Sequence, residues 1–441
     1  MRFLYLPLAL TGLALSAAAQ TTAPYSVEAP LPAPPTTLLA SAVATPDMTD
    51  TPTLGLLAEP HPTTSLLTPR RLPTRKLDFS PSDKPSFIPV PIAFYQQETG
   101  FAVGAAILPV WRFGTDTTVR KSNARLLAWF SQKKQTTIQL THTIFTKGEK
   151  FYFSGELSYY DLQFDYFGIG NDTRESDKVQ IQYPLFVFDE KALVKAAPNL
   201  FVGVRYRLTA LGDVELREAE KYIGVPEVYA QLGDARNFRG LGEQRNGTIS
   251  SGVGPSLLYD GRDNVLATYR GNFVDAHMLF NGGALGSDYR FTRYQIDARH
   301  FNPLFGSNNT ILAMQFMGQY HSGNVPFREL GGMGATLGGA IYNNSYLMRG
   351  IYEARYRDRQ FTTVQAEIRQ KLIWRFDIAA FIAAGQVGYN LNDYTFGGTK
   401  LAGGVGARFR LNRRDRLNIR LDYGVGSGGN SGIIFAVGEA F

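Results

Sequence analysis

The last quarter of the chain alternates between apolar and polar residues at every second position. The clearest case is the segment 416–425, with apolar Leu417, Ile419, Leu421, Tyr423 and Val425 and polar or small Asn418, Arg420, Asp422 and Gly424. Period two is the repeat of a β-strand, whose successive side chains point to opposite faces. A charge on a lipid-facing position costs about 2–4 kcal/mol at the bilayer midplane. The pattern therefore predicts membrane-spanning strands with the charged face turned towards a lumen.

Sixteen segments of this kind follow one another after residue 84. They are Phe87–Gln96, Phe101–Phe113, Asn123–Ser131, Gln135–Phe145, Phe151–Asp161, Val179–Asp189, Leu200–Ala210, Ile249–Tyr259, Asn272–Asn281, Tyr289–Phe301, Thr310–Tyr320, Thr362–Ile373, Phe376–Tyr389, Lys400–Leu411, Arg416–Val425 and Ile433–Phe441. The predicted fold class is all-β, a transmembrane antiparallel β-barrel of about 16 strands, since bacterial barrels have even strand numbers. A soluble β-sandwich has the same period, but it does not account for this number of strands or for 13% aromatic residues.

Connection lengths alternate in the way that such a barrel requires. Short connections include Thr146–Lys150, Gly261–Tyr269, Trp374–Arg375 and Asn412–Asp415, whereas Leu162–Lys178, Leu211–Ser250 and His321–Phe361 are long. Outer-membrane barrels have short periplasmic turns and long external loops. We therefore expect the long set to lie outside the cell or to fold back into the lumen.

The N-terminal part predicts export. Residues 1–19 resemble a signal peptide, with Arg2, the apolar run Phe3–Leu15 and small residues before Gln20. Residues 20–84 are rich in proline and threonine and predict a disordered periplasmic linker. The barrel is assigned to residues 85–441 and the protein to the bacterial cell outer membrane.

Other functions have little support in the sequence. The net charge is +7, but no basic run or binding motif indicates nucleic acid. There is no cysteine. No spacing sets the five histidines, His61, His142, His277, His300 and His321, beside a nucleophile in a catalytic pattern. We therefore expect no enzyme activity, cofactor or metal, and a monomer surrounded by outer-membrane lipid.

A glycine-rich segment before the last five strands carries the most specific motif. Gly331–Gly332, Gly334, Gly338–Gly339 and Asn343–Asn344 precede Leu347–Met348–Arg349–Gly350–Ile351. Two further segments, Tyr166–Asn171 and Tyr259–Asn264 followed by Gly271, add a Gly-x-Gly-Asn and an Asp-x-Arg-Asp-Asn pattern. Together they resemble the barrel domain of the BamA/TamA (bacterial surface antigen) superfamily over about residues 86–441.

The resemblance implies a loop that folds into the lumen and is held there by an arginine. Arg349 and Gly350 then form the tip, and Glu367 and Phe381 are the expected wall partners, because a confined guanidinium needs a carboxylate or an aromatic face. The family's acidic position in the following strand is occupied by Ala383, which predicts a looser anchor. Ile351 also replaces the usual aromatic residue of the tip. The simpler alternative is that Arg349 is a solvated loop cation.

Two further groups of residues have predicted roles. Asp260, Arg262, Asp263 and Asn264 are expected to cap a turn through their own backbone, with Arg262 bridging two carboxylates. Phe435, Val437 and Phe441 are expected on the lipid face of the last strand, as a signal for the barrel-assembly machinery. Glu439 has the same parity and is expected near the periplasmic edge.

The resemblance implies work on polypeptides, as insertion into the outer membrane or passage through it. Such a protein would act on a polypeptide substrate or with a separate periplasmic partner. A weak seam between the first and last strands, with Pro89 and Pro91 removing hydrogen-bond donors, would offer an edge to an incoming strand. The alternative is a passive channel or a structural outer-membrane barrel.

Overall fold

The computed structural model describes residues 86–96, 100–114, 119–217, 246–265, 267–334, 347–412 and 416–441. The predicted signal peptide 1–19 and linker 20–84 lie outside these residues. Among the described residues, none of the helices is both long enough and apolar enough to cross a bilayer.

The described chain consists almost entirely of strands. They are β1 (Ser86–Gln96), β2 (Gly100–Trp111), β3 (Ser122–Ser131), β4 (Thr136–Phe145), β5 (Phe151–Tyr166), β6 (Val179–Ala197), β7 (Leu200–Leu211), β8 (Glu215–Leu216), β9 (Thr248–Asp260), β10 (Gly271–Asn281), β11 (Phe291–Pro303), β12 (Thr310–Gly323), β13 (Gly331–Gly332), β14 (Arg357–Asp358), β15 (Gln360–Lys371), β16 (Phe376–Gly388), β17 (Lys400–Asn412), β18 (Leu417–Gly426) and β19 (Asn430–Val437). Single 3-10 turns span Lys147–Glu149, Glu175–Asp177, Gly283–Leu285, Phe327–Glu329, Leu391–Asp393 and Phe396–Gly398.

The long strands form one antiparallel meander. Each pairs with the next long strand along the chain, so β7 pairs with β9 and β12 with β15 across their long connections. The two-residue β8 pairs with β6 and brings the main sheet to 17 strands, while β13 and β14 pair separately. Within the described residues the sixteen long strands correspond to the sixteen predicted segments. The all-β antiparallel barrel is therefore confirmed.

The largest differences from the predicted boundaries are at the ends of β5, β6 and β19. β5 continues to Tyr166 because its ladder with β6 runs unbroken to the Tyr166–Val179 pair, and β6 continues to Ala197, where it pairs with Leu200 of β7. β19 ends four residues before the predicted end, at Val437. Gly438 follows with a φ of 87°, a left-handed conformation that turns the chain out of the strand.

The sheet is polar on the inside and apolar on the outside. Glu367, Arg408 and Asp422 are buried, whereas the neighbouring side chains of Ile382 and Val405 are 70% and 61% exposed. Such an arrangement would be unfavourable in water, because it exposes a large apolar surface and buries charges. It suits a barrel that has lipid outside and a polar lumen inside. The predicted orientation of the alternating faces is confirmed.

Candidate functional site in the lumen

The described parts of the connection between β12 and β15, residues 324–334 and 347–359, pack inside the barrel. We call them the lumenal loop. The β13–β14 pair holds the two arms of the lumenal loop together, through Gly331 with Asp358 and Gly332 with Arg357. Leu347, Met348 and Arg349 are fully buried although they belong to a connection between strands. The long connection therefore enters the lumen, as the sequence predicts.

Arg349 at the tip contacts the wall through both terminal nitrogens and one face of its guanidinium group. Its Nη2 donates to Glu367 Oε2 at 2.5 Å and its Nη1 to Asp422 Oδ2 at 2.6 Å. Its Cζ lies 3.6 Å from the centre of the Phe381 ring. Two carboxylates and one aromatic face thus replace the water that a solvated cation would have. The solvated alternative is wrong.

Strand register explains why the tip fits at this place. Glu367, Phe381, Gly404 and Gly424 are successive register partners across β15, β16, β17 and β18. The row therefore presents a carboxylate and an aromatic ring, followed by two positions without a side chain. The tip lies over the empty half, where an added Cβ on Gly424 would be 2.5 Å from the carbonyl oxygen of Arg349.

Gly350 has to be glycine for the same reason. Its φ is 105°, and an added Cβ would lie 2.6 Å from the backbone nitrogen of Val425. A residue with a side chain would be strained at this φ and would collide with β18. The tip therefore rests directly on the backbone of β18.

The absence of an acid at Ala383 does not leave Arg349 with a single carboxylate, and the predicted looseness of the anchor stays a prediction. Ala383 packs in an apolar cluster with Met348, Leu347 and Met333, so this position holds no charge. The second carboxylate comes instead from Asp422, two strands further along the wall. Asp422 is on the predicted lumenal face of its strand, but nothing in the sequence connects it with the loop. The sequence feature that could have pointed to Asp422 is Gly406, its register partner on β17. Because this glycine has no side chain, space is left beside Asp422.

The partners of Arg349 belong to a larger network of buried charges, which we call the charge cluster. Its members are Arg349, Arg369, Arg408, Arg420, Glu367, Asp422 and Glu439. Arg408 Nη1 lies 2.5 Å from Asp422 Oδ1, its Nη2 3.3 Å from Glu367 and its Nε 3.0 Å from Glu439. Arg369 Nε lies 2.6 Å from Glu367, and Arg420 Nη1 2.9 Å from Asp422.

A second anchor holds the other arm of the lumenal loop and was not predicted. Glu329 is buried, with its Oε2 3.0 Å from Arg293 Nη1 on β11 and 3.7 Å from Arg207 Nε on β7. The neighbouring Phe327 packs against Tyr166 and Tyr183 of β5 and β6. One arm of the lumenal loop therefore places an acidic side chain against basic residues of β7 and β11. The other arm places an arginine against acidic residues of β15 and β18.

The Gly-x-Gly-Asn segment contacts the top of the lumenal loop. The amide of Gly170 donates to the carbonyl oxygen of Arg357 at 2.8 Å. The guanidinium of Arg355 lies 4.0 Å from the centre of the Phe167 ring. The side-chain Nδ2 of Asn171 donates to the backbone carbonyl oxygen of Gly398 at 2.7 Å. The segment thus joins the lumenal loop to the connection between β16 and β17.

The predicted turn motif caps the connection between β9 and β10, but Arg262 does not bridge two carboxylates. Its Nε and Nη2 both donate to Asp260, at 2.9 Å each. Asp263 accepts from the backbone of residues 269 and 270 and pairs at 2.7 Å with Arg416 at the turn before β18. Asn264 accepts from the amide of residue 267. The motif therefore joins the β9–β10 connection to Arg416, directly before β18, in addition to capping its own turn.

The segment after β19 differs from the prediction. Ala440 and Phe441 are buried, and the Phe441 ring lies 6.4 Å from that of Phe301 on β11. Glu439 pairs with Arg408 in the lumen, so its predicted position on the lipid face is wrong, as is that of Phe441. The turn at Gly438 ends the alternation and is the physical reason.

The lipid-facing role of the other two terminal residues stays a prediction. Phe435 and Val437 are register partners of Leu421 and Ile419 on β18. Leu421 lies on the exposed apolar face. A role for residues 435–441 as an assembly signal also stays a prediction.

No group of three or more His, Cys, Asp or Glu side chains in the described part of the chain is arranged to hold a metal ion. The charge cluster instead consists of arginines and carboxylates in direct contact. Such a site holds the lumenal loop through charge.

Three solved structures show how the fold compares with known barrels. BamA from Haemophilus ducreyi lacking POTRA domains 1-3 superposes with a TM-score of 0.48 and 13% identity, over 81% of this chain and 70% of that one. CdiB from Acinetobacter baumannii gives 0.47 and 12%, over 80% and 59%. The CymD monoaromatic hydrocarbon channel gives 0.31 and 12%, over 81% and 87%.

Sequence comparison gives the family. No curated protein matches the chain. The Omp85 superfamily domain matches residues 144–441, which is more than half of the chain and includes the lumenal loop and its wall partners. This match confirms the family resemblance seen in the sequence. The chain therefore belongs to the Omp85 superfamily and is a β-barrel protein of the bacterial outer membrane.

Proposed function

We propose that this barrel assists the insertion of proteins into the outer membrane or their passage through it. The observation that carries the proposal is the lumenal loop, held by Arg349 on two buried carboxylates and one aromatic ring. A barrel that served only as a wall would not need a charged loop docked across its interior. A docked loop that can be released suits a barrel whose interior or wall has to rearrange during work.

The site of rearrangement we propose is the seam between β1 and β19. β19 has only eight residues, and Pro89 and Pro91 in β1 lack the amide hydrogens that a ladder needs. A weakly paired edge can accept an incoming strand by β-augmentation. The tip of the lumenal loop rests on β18, the strand next to β19, and so lies one strand away from this edge.

Crosslinking tests the seam in cells. The chain has no cysteine, so pairs of cysteines introduced along β1 and β19 can be joined without interference. The control is a pair at Ala407 and Leu421, which are register partners on β17 and β18 away from the seam. We expect closure of the seam, but not the control crosslink, to stop assembly of other outer-membrane proteins. Cells that tolerate a closed seam would contradict the proposal.

The passive channel is the alternative result of a conductance measurement. In planar bilayers we expect a plugged barrel with small, flickering currents that grow in Arg349→Ala. A large steady pore that this substitution leaves unchanged would favour the channel. Pull-down with the mature chain, including residues 20–84, would identify a periplasmic partner, a substrate polypeptide or the assembly machinery.

A further inference from the structure

The last residues of the chain dock beside the partners of Arg349. The side chain of Arg369 donates from Nη2 to the carbonyl oxygen of Phe441 at 2.9 Å, and its Cζ lies 5.4 Å from the Phe441 ring. Phe441 packs with Phe301 and Ala313 on β11 and β12. We call residues 439–441 the terminal segment. It occupies the lumen instead of continuing the lipid-facing strand.

Arg408 on β17 joins the terminal segment to the loop tip. Its guanidinium contacts three carboxylates, those of Asp422, Glu439 and Glu367, at 2.5, 3.0 and 3.3 Å. Two of these three, Asp422 and Glu367, also hold Arg349. The third, Glu439, belongs to the terminal segment and accepts a further hydrogen bond from Asn418 at 2.6 Å. Arg408 therefore contacts the terminal segment directly, through Glu439, and shares two carboxylates with the tip of the lumenal loop.

Electrostatic competition predicts how undocking of Arg349 affects the contacts of Glu439. Glu367 and Asp422 compete with Glu439 for Arg408, and Glu367 also competes with Glu439 for Arg369. While Arg349 is docked, its charge partly satisfies Glu367 and Asp422, which leaves Arg408 and Arg369 available to Glu439. When Arg349 leaves, the two acids draw these arginines more strongly, because an uncompensated buried charge is costly. The hold on Glu439 then weakens.

We propose that Arg408 is a positioning residue that couples the lumenal loop to the terminal segment, so that undocking of Arg349 releases residues 439–441. By linkage, release of the terminal segment must weaken the docking of Arg349 by the same factor. The terminal segment directly follows β19, so its release frees the end of the strand at the proposed seam. That biological meaning rests on the proposed function, but the coupling itself is a property of the folded barrel.

Single cysteines can report each part separately. Ala440→Cys reports the terminal segment and Met348→Cys the loop tip, because both native side chains are buried and the chain has no other cysteine. Purified, folded barrel in lipid nanodiscs is treated with a thiol reagent, and the rate of labelling measures local opening. We expect Arg349→Ala to raise the rates at both reporters by about tenfold or more. Glu439→Gln should raise the rate at the Met348→Cys reporter.

Two controls distinguish coupling from general loosening. Arg205→Ala removes another buried arginine, which pairs with Asp189 on the opposite wall, and should leave both rates within about twofold of the parent. Arg408→Lys keeps the charge but replaces the planar fork of the guanidinium, whose three nitrogens reach three carboxylates, with a compact ammonium. In that background, adding Arg349→Ala should raise the rate at the Ala440→Cys reporter by a smaller factor than in the parent, because only the contacts of Arg369 with Glu367 and Glu439 still link the two parts. If Arg349→Ala prevents folding, Arg349→Lys replaces it, because a compact ammonium lacks the two separate nitrogens with which Arg349 reaches Glu367 and Asp422.

The coupling is refuted if Arg349→Ala exposes the Met348→Cys reporter while the Ala440→Cys reporter keeps its parental rate. An unchanged increase at the Ala440→Cys reporter in the Arg408→Lys background would also refute the role of Arg408. Neither measurement depends on activity in cells. If the labelling rates show coupling but cells tolerate the crosslinked seam, the coupling stands and the proposed function is contradicted.

Discussion

Asp422 is the residue whose substitution tests the loop anchor most directly. Its two oxygens accept from three guanidinium groups, those of Arg349, Arg408 and Arg420, at 2.6, 2.5 and 2.9 Å. Removing one partner of a buried ion pair costs about 3–5 kcal/mol, because the other charge is left uncompensated. Asp422→Asn keeps the shape and one acceptor oxygen, and Glu367 still holds Arg349. We therefore expect the lower end of this range, about 3 kcal/mol of unfolding free energy.

Equilibrium unfolding in urea, with the barrel inserted in lipid vesicles, measures this loss. At a slope of about 3 kcal/mol per molar urea, the midpoint should fall by about 1 M. Asp172→Asn is the matched control, since Asp172 is 93% exposed and lies 3.8 Å from Lys400. An exposed pair of this kind contributes little to stability, so the control should keep the parental midpoint.

The result that refutes the reasoning is a midpoint for Asp422→Asn equal to that of the control. The arginines would then be satisfied by Glu367 and Glu439 alone, and Asp422 would not hold the loop. A second comparison uses Ala383→Asp in the Asp422→Asn background. Because Ala383 lies in an apolar cluster, a carboxylate there would be desolvated, and we expect no recovery of the midpoint.

Three other outcomes are expected. Glu329→Gln combined with Arg349→Ala should raise conductance in planar bilayers far above either single variant, because in each single variant the remaining anchor still holds one arm of the loop. Equal conductance of the double and single variants would contradict the presence of two separate anchors. Gly424→Ala should displace the tip and speed thiol labelling at residue 348, because the added methyl meets loop backbone within 2.5 Å, whereas Gly432→Ala enters open space and should not. Burial raises the pKa of Glu149, but hydrogen bonds and the positive charge of its partner Arg120 outweigh this effect and leave the pKa below the ordinary 4.5. Its stabilisation is therefore complete above pH 4.5 and is lost as the pH falls further through the folded pKa, so Glu149→Gln should reduce the acid dependence of the urea midpoint.

Local features of the sequence predict the sheet well, and the reason is physical. Each membrane-spanning strand needs apolar side chains on the face that contacts lipid. Its alternation can therefore be recognised in the sequence without knowledge of the neighbouring strands. The same alternation places Glu367 and Asp422 on the lumenal face. Boundaries were less predictable where pairing continued beyond the membrane, as in β5 and β6, and where one glycine ended the alternation, at Gly438.

Partners across the lumen were only partly predictable. The resemblance to a family identified Arg349, Glu367 and Phe381, but it also suggested a weak anchor because of Ala383. The structure shows a second carboxylate at Asp422, 73 residues after Arg349 in the chain. The anchor at Glu329 carried no recognised motif at all, and its partners lie on β7 and β11.

The sequence by itself therefore determined that this protein is a lipid-exposed antiparallel barrel with a charged lumen and an arginine at the tip of an inward loop. Only the tertiary structure decided that Asp422 joins Glu367 in holding that arginine, and that the residues after β19 turn inward to join them. Alternation along a strand is a local response to lipid, and it can be read one strand at a time. Contacts across the lumen depend instead on register over many strands and on the path of the loop, so they exist only once the barrel has formed.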